Sequence, residues 1–239
     1  MRGKKNNNPF LFKQFQVHHH LCAHKVGFDG VLLGAWTNFT HAKTILDIGS
    51  GSGLIALMAA QKNNAAIITA IEIDDDSSIQ LEENFISSPW KKQLTGIKTD
   101  FLTFEKSQTF DAIVSNPPYF IDALATPVQK RTNARHNTLT EIESFLVKAV
   151  SHLNPNGSLS IIIPGNHSSQ ILSILNRANC YLARLCYVYT KSLELPERIL
   201  IEAKLIKCDV EEKSLYVYDK EGNYSPEYIK LTNEFYINF

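Results

Sequence analysis

The sequence predicts a doubly wound α/β fold with a mostly parallel sheet of seven strands and helices on both faces. Short β-branched runs alternate with helical patterns through the middle of the chain, as in consecutive βαβ units. The run 66–73 is almost continuously apolar, as expected for a parallel strand buried on both faces. A glycine-rich turn at 49–53 follows an apolar strand and precedes a helical pattern.

Each element follows from its local pattern. Seven segments have the pattern of strands: 44–48, 66–73, 94–99, 110–115, 159–163, 183–190 and 198–206. Four have the pattern of helices: 53–62, 75–86, 139–153 and 167–178. The last two strands form a closing hairpin, which places one antiparallel element near the edge of the sheet. Residues 120–138 lack periodicity and predict a long active-site loop, and the turn signal at 154–157 ends the helix before it.

The composition indicates one globular domain at 41–239, preceded by an extension at 1–40. The chain has 239 residues, 44% of them hydrophobic and 20% charged, which excludes a disordered protein. No apolar run approaches the roughly 18–20 residues of a membrane span, and the first residues lack the apolar core of a signal peptide. We therefore expect a cytoplasmic protein without a membrane segment.

The charges and cysteines restrict the partners. The net charge is zero, but residues 1–40 hold five basic residues against one acidic residue, and residues 207–239 hold four lysines against seven acids. A basic amino end suits a polyanion, although a solvated tail fits the charge equally well. The four cysteines form no C-x-x-C pair and predict reduced structural thiols, with no metal: Cys22, Cys180, Cys186 and Cys208.

The glycine-rich turn predicts a nucleotide-like cofactor. The segment reads Leu46-Asp47-Ile48-Gly49-Ser50-Gly51-Ser52-Gly53, and its glycines let a ligand approach the backbone. Glu72 ends the next strand, where an acid accepts hydrogen bonds from ribose hydroxyls. Asp100 and Phe101 end the third strand and suit an adenine. Because Gly51-x-Gly53-x-x-Ala56 also fits dinucleotide enzymes, nicotinamide and methyl-donor cofactors remain equally supported here.

The motif Asn116-Pro117-Pro118-Tyr119 after the fourth strand favours methyl transfer to a planar amino group. Two prolines fix the backbone at the strand end, for which hydride transfer has no use. The lone pair of an amino group on a ring or an amide is delocalised and is a poor nucleophile. The Asn116 side-chain oxygen and the Pro117 carbonyl would accept hydrogen bonds from the two N–H groups of this amino group. Tyr119 would stack on a flipped base.

These residues resemble the Rossmann-like class I methyltransferases that carry the (N/D/S)-P-P-(Y/F/W) motif, over residues 44 to about 206. The resemblance implies S-adenosylmethionine as cofactor, with Asn116, Pro117, Pro118 and Tyr119 as the catalytic motif. With the segment upstream of the turn, it implies these cofactor contacts: Lys25, Phe28, Asp29, Gly30, Asp47, Gly49, Ser50, Gly51, Gly53, Glu72, Ile73, Asp100, Phe101 and Asn116.

The upstream segment Lys25-Val26-Gly27-Phe28-Asp29-Gly30-Val31-Leu32-Leu33-Gly34-Ala35-Trp36 is more discriminating. It resembles the bacterial valine-tRNA adenine N6-methyltransferases, as do Ser88-Pro89-Trp90, Leu195-Pro196-x-Arg198 and Asn223-Tyr224-Ser225. That resemblance implies a tRNA substrate, modified at the adenosine 3′ of the anticodon, and a monomeric enzyme whose first 40 residues close over the donor. The expected substrate contacts are Tyr119, Lys130, Arg131 and Arg135, with His136 nearby; solvated loop charges explain the last four equally well.

Alternative functions remain open. A glutamine N5-methyltransferase of release factors shares N-P-P-Y, but such enzymes usually carry a larger helical amino-terminal domain. A module that binds donor and RNA without turnover would have no need of Asn116. A DNA adenine methyltransferase normally needs an added recognition domain. The run His18-His19-His20 departs from the resembled family; adjacent residues on a strand point to opposite faces, which argues against a metal site.

Overall fold

The computed structural model describes residues 8–105, 108–117, 131–190 and 195–238, with the backbone alone over 131–139. In this part of the chain, the centre is a mixed sheet of eight strands, and a two-stranded hairpin lies apart from it. The hairpin comprises β1 (Phe10–Leu11) and β2 (Gln16–Val17), which pair antiparallel. No helix in these ranges combines the length and apolar character needed to cross a bilayer.

The strands of the central sheet are, in chain order, β3 (Thr44–Ile48), β4 (Ile67–Glu72), β5 (Leu94–Lys98), β6 (Phe110–Ser115), β7 (Leu153–Pro164), β8 (Tyr181–Tyr189), β9 (Arg198–Lys204) and β10 (Glu211–Tyr216). Across the sheet the order is β10-β8-β9-β7-β6-β3-β4-β5. All neighbours pair in parallel except β9, which is antiparallel to both β7 and β8. The expected mostly parallel sheet and its closing hairpin are confirmed.

The helices of the described residues are α1 (Phe28–Trp36), α2 (Leu54–Lys62), α3 (Asp75–Ser87), α4 (Arg131–Ser151), α5 (Ser168–Arg177) and α6 (Pro226–Thr232). They cover both faces of the sheet, as expected. One apolar core packs α1, α2 and α3 on one face, and a second packs α4 and α5 on the other. Ile45 and Leu46 of β3 enter opposite cores and are both fully buried, as a strand between two helical layers requires.

The structure differs from the sequence prediction in several elements: β1, β2, α1, β10 and α6 were not expected, and the bounds of other elements shift. The central sheet has eight strands in the described residues, because the polar segment β10 pairs with β8 through its backbone. The helix predicted at 139–153 is α4, which begins at Arg131 and ends at Ser151, so the predicted loop 120–138 is wrong for 131–138. Its first part, 120–130, lies outside the described residues.

The residues 154–157, which were expected to form a turn between a helix and a strand, lie inside strand β7. Strand β7 begins at Leu153, and its pairing with β6 jumps from Phe110 opposite Leu153 to Ala112 opposite Ser158. The segment Asn154-Pro155-Asn156-Gly157 therefore forms an irregularity inside a strand instead of preceding one.

The topology fixes where a ligand binds. Because β3, β4, β5, β6 and β7 are parallel, their carboxyl ends meet at one edge of the sheet. In open α/β sheets this edge carries the ligand, at the point where the strand order reverses. Here the order reverses between β3 and β6, so the turn after β3 and the motif after β6 lie side by side.

Candidate functional site

A cavity of about 1030 Å³ opens at the carboxyl edge of the sheet. It is lined by the ends of β3, β4 and β6, by residues 22–30 before and in α1, and by the start of β9. Twelve of the fourteen expected cofactor contacts line it: Lys25, Phe28, Asp29, Gly30, Gly49, Ser50, Gly51, Glu72, Ile73, Asp100, Phe101 and Asn116. Asp47 and Gly53 are the two that do not.

The three glycines of the turn have two different tasks. Gly49, Gly51 and Gly53 have φ of 69°, 54° and 81°, a left-handed region that favours glycine. A methyl group added at Gly49 or Gly51 would meet no heavy atom within 4 Å, so both expose bare backbone where they line the cavity. A methyl group at Gly53 would lie 2.6 Å from both Leu81 and Phe85 of α3. Gly53 therefore serves helix packing rather than ligand access.

Glu72 connects the turn to the end of β4. Its Oε2 accepts a hydrogen bond from the backbone N–H of Gly51 at 2.7 Å, and its Oε1 accepts from the N–H groups of Ile73 and Asp74, both at 2.9 Å. The carboxylate is 7% exposed and lines the cavity. Three N–H donors thus fix the carboxylate, and Oε2, which accepts only one of them, keeps lone-pair capacity for a ligand hydroxyl.

Asp47 lies beneath the turn instead of in the cavity wall. It is 1% exposed, and its Oδ2 accepts the N–H of Ala56 in the first turn of α2 at 3.0 Å. Its Oδ1 is buried without a hydrogen-bond partner in the described structure. Burial raises the pKa of this carboxyl to about 7, with Glu72 adding a smaller upward effect. Asp47 therefore joins β3 to α2, and its expected contact with the cofactor remains a prediction.

The end of β5 contributes a mixed polar and apolar wall. Asp100 lines the cavity, and its Oδ1 accepts the N–H of Leu102 at 2.8 Å. The Phe101 ring is 6% exposed and packs edge-on against Phe145, with centroids 5.5 Å apart. The more exposed apolar side chains of this wall are Ile73 at 59% and Leu102 at 39%. Leu102 belongs to no sequence motif and was not among the expected contacts.

Asn116 and Pro117 line the cavity directly after β6. The Ser115 hydroxyl, 1% exposed, donates to the Ile48 carbonyl at 2.8 Å and so ties the end of β6 to the turn after β3. A methyl group added at Gly30 of α1 would lie 4.0 Å from the Asn116 side-chain nitrogen. The glycine turn, Asn116 and α1 therefore meet around one space.

Several expected residues cannot be placed as side chains. Pro118, Tyr119 and Lys130 lie outside the described residues. Arg131, Arg135 and His136 belong to α4, where the backbone alone is described. Their catalytic and substrate-binding roles remain predictions.

The segment before α1 is fastened to α3 by two buried amides that the sequence analysis missed. Asn84 accepts from the His18 N–H at 2.9 Å and donates to the carbonyls of His18 and Ser52. Gln80 accepts from the Leu21 N–H at 3.3 Å. Both side chains are 0% exposed. Their spacing of four residues on the inner face of α3 was the available signal.

The histidine run follows β2 and is not part of a strand, which corrects the reason given for excluding a metal. The Nδ1 of His19 accepts the Val26 N–H at 3.2 Å, which fixes the segment that lines the cavity. Burial, with Lys25 adding to it, lowers the pKa of His19 and favours its neutral, accepting form. No group of three His, Cys, Asp or Glu side chains in the described ranges is arranged to hold a metal ion.

The chain is similar in sequence to known methyltransferases. Residues 29–179 match the model of a family described as methyltransferase small domain. The chain belongs to this methyltransferase family. It is 44% identical over 231 residues to a Bacteroides fragilis protein named tRNA1(Val) (adenine(37)-N6)-methyltransferase, which covers 95% of this chain and 97% of that protein. A protein of the same name from Tolumonas auensis is 38% identical, covering 95% and 96%.

Solved structures confirm the fold. A predicted O-methyltransferase from Agrobacterium tumefaciens superposes with a TM-score of 0.66 at 15% identity, over 87% of this chain and 96% of that one. A putative RNA methyltransferase from Pyrococcus horikoshii gives a TM-score of 0.52 at 18% identity, over 73% of this chain and 82% of that one. At these identities the likeness establishes the Rossmann-like architecture, as the sequence predicted.

The cavity fits the methyl donor of this family. Open backbone at Gly49 and Gly51 admits a ligand closely, Glu72 offers a carboxylate to hydroxyls, and Ile73 with Leu102 offers an apolar wall. Among the described lining residues other than His24, acids exceed bases, which suits a sulfonium cation. The acids are Asp29, Glu72, Asp74, Asp100 and Glu197, and the bases are Lys25 and Arg198.

Proposed function

We propose that the protein transfers a methyl group from S-adenosylmethionine to the N6 amino group of adenine 37 in tRNA1(Val). The observation that carries the proposal is the position of Asn116 and Pro117 in the wall of a cavity built on the glycine turn. It is supported by relatives that are 38–44% identical over nearly the whole chain and bear that activity in their names.

The residues after β6 orient the acceptor. The Asn116 side-chain oxygen and the Pro117 carbonyl accept hydrogen bonds from the two N–H groups of the adenine amino group. These two bonds orient the nitrogen lone pair toward the methyl group. This is positioning with preorganised acceptors where positive charge develops on nitrogen, and it needs no strong base before attack. The proton leaves after transfer. Tyr119 stacks on the adenine, which leaves the stacked anticodon loop to reach the pocket.

The donor supplies an activated methyl group on a sulfonium. Glu72 would hold the ribose hydroxyls, the open backbone of Gly49 and Gly51 would admit the methionine part, and Asp100 would accept from the adenine amino group. The acidic lining favours the positively charged donor over the neutral product that remains after transfer, which assists product release.

The remaining parts of the chain serve the same reaction. The extension 1–40 closes over the donor, supported by the position of residues 22–30 in the cavity wall. Lys130, Arg131 and Arg135 contact tRNA phosphates around the target nucleotide. The enzyme acts as a monomer in the cytoplasm, where its substrate lies; its four cysteines are free thiols, which agrees with a reducing compartment.

Incubation with tritiated S-adenosylmethionine and either unmodified total tRNA or a release factor tests this proposal. Label recovered as N6-methyladenosine from tRNA is the expected result. Label on the release factor alone would move the protein to the glutamine-modifying enzymes, with Asn116 in the same chemical role. Donor binding without label on either substrate would indicate a binding module.

A further inference from the structure

Helix α1 is joined to the β8–β9 hairpin by one arginine at each end. At its carboxyl end, Arg184 of β8 donates to the Trp36 carbonyl at 3.3 Å, and its guanidinium lies 4.1 Å from the centre of the Trp36 ring. At its amino end, Arg198 of β9 donates from Nε to the Asp29 carboxylate at 2.8 Å. Both arrangements also match the helix dipole, with an acid in the first turn and a cation at the last carbonyl groups.

In the described residues, no side-chain hydrogen bond from the N-cap residue caps the amino end of α1. Its N-cap residue is Gly27, which has no side chain to accept from the first N–H groups, and the Val31 N–H to Gly27 carbonyl bond is long, at 3.3 Å. By contrast, α3 is capped by the Asp74 carboxylate and α6 by the Ser225 hydroxyl. The ion pair between Asp29 and Arg198 is therefore a directional side-chain bond that ties this turn to the sheet.

This turn determines the shape of the site. Asp29, Gly30 and Arg198 all line the cavity. A methyl group at Gly30 would meet Leu54 of α2 at 3.0 Å and the Asn116 side-chain nitrogen at 4.0 Å. The first turn of α1 thus lies over both the start of α2 and the residue that is to accept the substrate amino group. A shift of this turn would change the space around Asn116.

We propose that Arg198 is a positioning residue, whose ion pair with Asp29 holds the first turn of α1 against the cavity so that Gly30 stays beside Asn116. This inference rests on the proposed methyl transfer for its effect on turnover, but the structural part does not depend on it. Apolar burial of residues 30–35 fixes the depth of α1, whereas a directional charged bond fixes the position of its first turn.

Hydrogen exchange of the free protein tests the structural part. In Arg198→Ala, amides at 28–33 should exchange about fivefold faster, as expected for losing a partly exposed ion pair. The affinity for S-adenosylmethionine, measured by calorimetry, and the turnover at saturating S-adenosylmethionine should each fall about fivefold.

Arg198→Lys should recover part of the exchange protection, the affinity and the turnover, because a lysine keeps the positive charge and can donate a hydrogen bond to Asp29. Arg177→Ala is the matched control, since Arg177 pairs with Glu143 at 2.7 Å between α5 and α4 and should change none of them.

A double-mutant cycle separates the ion pair from a direct role of Asp29. If the two residues act as a pair, Asp29→Asn with Arg198→Ala should lose no more donor affinity than the worse single variant. Additive losses, or wild-type exchange in Arg198→Ala, would overturn the proposal. The proposed function is tested separately, by whether the wild-type enzyme methylates tRNA. Hydrogen exchange at α1 is measured on the free protein and requires neither donor nor tRNA.

Discussion

For single residues, the chemistry depends on Asn116, whose neighbours in the fold are fixed on both sides. Ser115 ties the end of β6 to Ile48 of β3, and Gly30 leaves room on the other side. An enzyme that works by orienting an amino group needs this fixed frame more than it needs a titrating side chain. The sequence identified the motif, and the fold explains how its first residue, Asn116, is positioned.

Asn116→Ala removes one acceptor from the substrate amino group. We expect the rate of methyl transfer to fall by about 10²- to 10³-fold, the effect typical of deleting a preorganised polar contact. Donor affinity should stay within about threefold, because Glu72 and the glycine turn remain. Single-turnover kinetics and calorimetry measure the two quantities. Asn116→Asp, which keeps an oxygen acceptor, should retain more activity; equal turnover of Asn116→Ala and wild type would contradict the mechanism.

Asp47 gives a prediction about pH. Its pKa is raised to about 7 in the folded protein against 3.8 ordinarily, so the folded state keeps a proton that the unfolded chain releases. The free energy of unfolding should therefore fall as pH rises from about 4 to about 7, by at most about 1.4 kcal/mol per pH unit from this group. Asp47→Asn removes the titration, so its stability relative to wild type should rise across that range in urea denaturation. A difference independent of pH would refute the assignment.

Among the elements, the glycine turn has two roles: Gly49 and Gly51 leave room for a ligand, and Gly53 lets the turn pack against α3. Gly53→Ala should destabilise the protein by about 2–4 kcal/mol, from the left-handed backbone and the contact with Leu81 and Phe85. Gly49→Ala has the backbone strain alone, about 1–2 kcal/mol, but places a methyl group in the cavity.

Thermal melting and donor calorimetry on the two variants distinguish these roles. Gly53→Ala should show the larger fall in melting temperature, and Gly49→Ala the larger fall in donor affinity. A larger fall in melting temperature for Gly49→Ala, or a larger fall in donor affinity for Gly53→Ala, would contradict this assignment of roles.

The elements also show what a sequence can reveal. Strands β3, β4 and β6 were predicted almost to the residue, because buried parallel strands are mostly apolar runs. Strand β10 was missed because Glu211–Tyr216 is mostly polar and joins the edge through backbone bonds. Helix α1 was missed because residues 30–35 are all buried, which leaves no amphipathic period. The ion pair between Asp29 and Arg198 joins positions far apart in the chain, and no local pattern encodes it.

At the scale of the whole molecule, the two ends of the chain are packed together. The Lys13 N–H donates to the Phe235 carbonyl at 2.9 Å, and the Phe12 ring stacks on Tyr236 with centroids 6.1 Å apart. Phe28, which lines the cavity, stacks on Tyr228 of α6. The carboxyl-terminal segment therefore supports the extension, of which residues 22–30 line the cavity.

Phe235→Ala tests this connection. The ring is 1% exposed, so its removal should cost about 3–5 kcal/mol and loosen the extension. Ile237→Ala, at a side chain 49% exposed, is the control and should change stability by less than about 0.5 kcal/mol. Denaturation with urea gives both values. Equal stability of the two variants would show that the chain ends do not share a core.

The cavity and Asn116 are expected to act together on one adenine. The most direct test of this expectation is the enzyme with S-adenosylmethionine and unmodified tRNA1(Val) transcripts, one native and one with adenine 37 replaced by guanine, followed by mass mapping. We expect one added methyl group, on N6 of adenine 37, in the native transcript and none in the altered one. Equal methylation of both transcripts, or of neither while the donor binds, would contradict it.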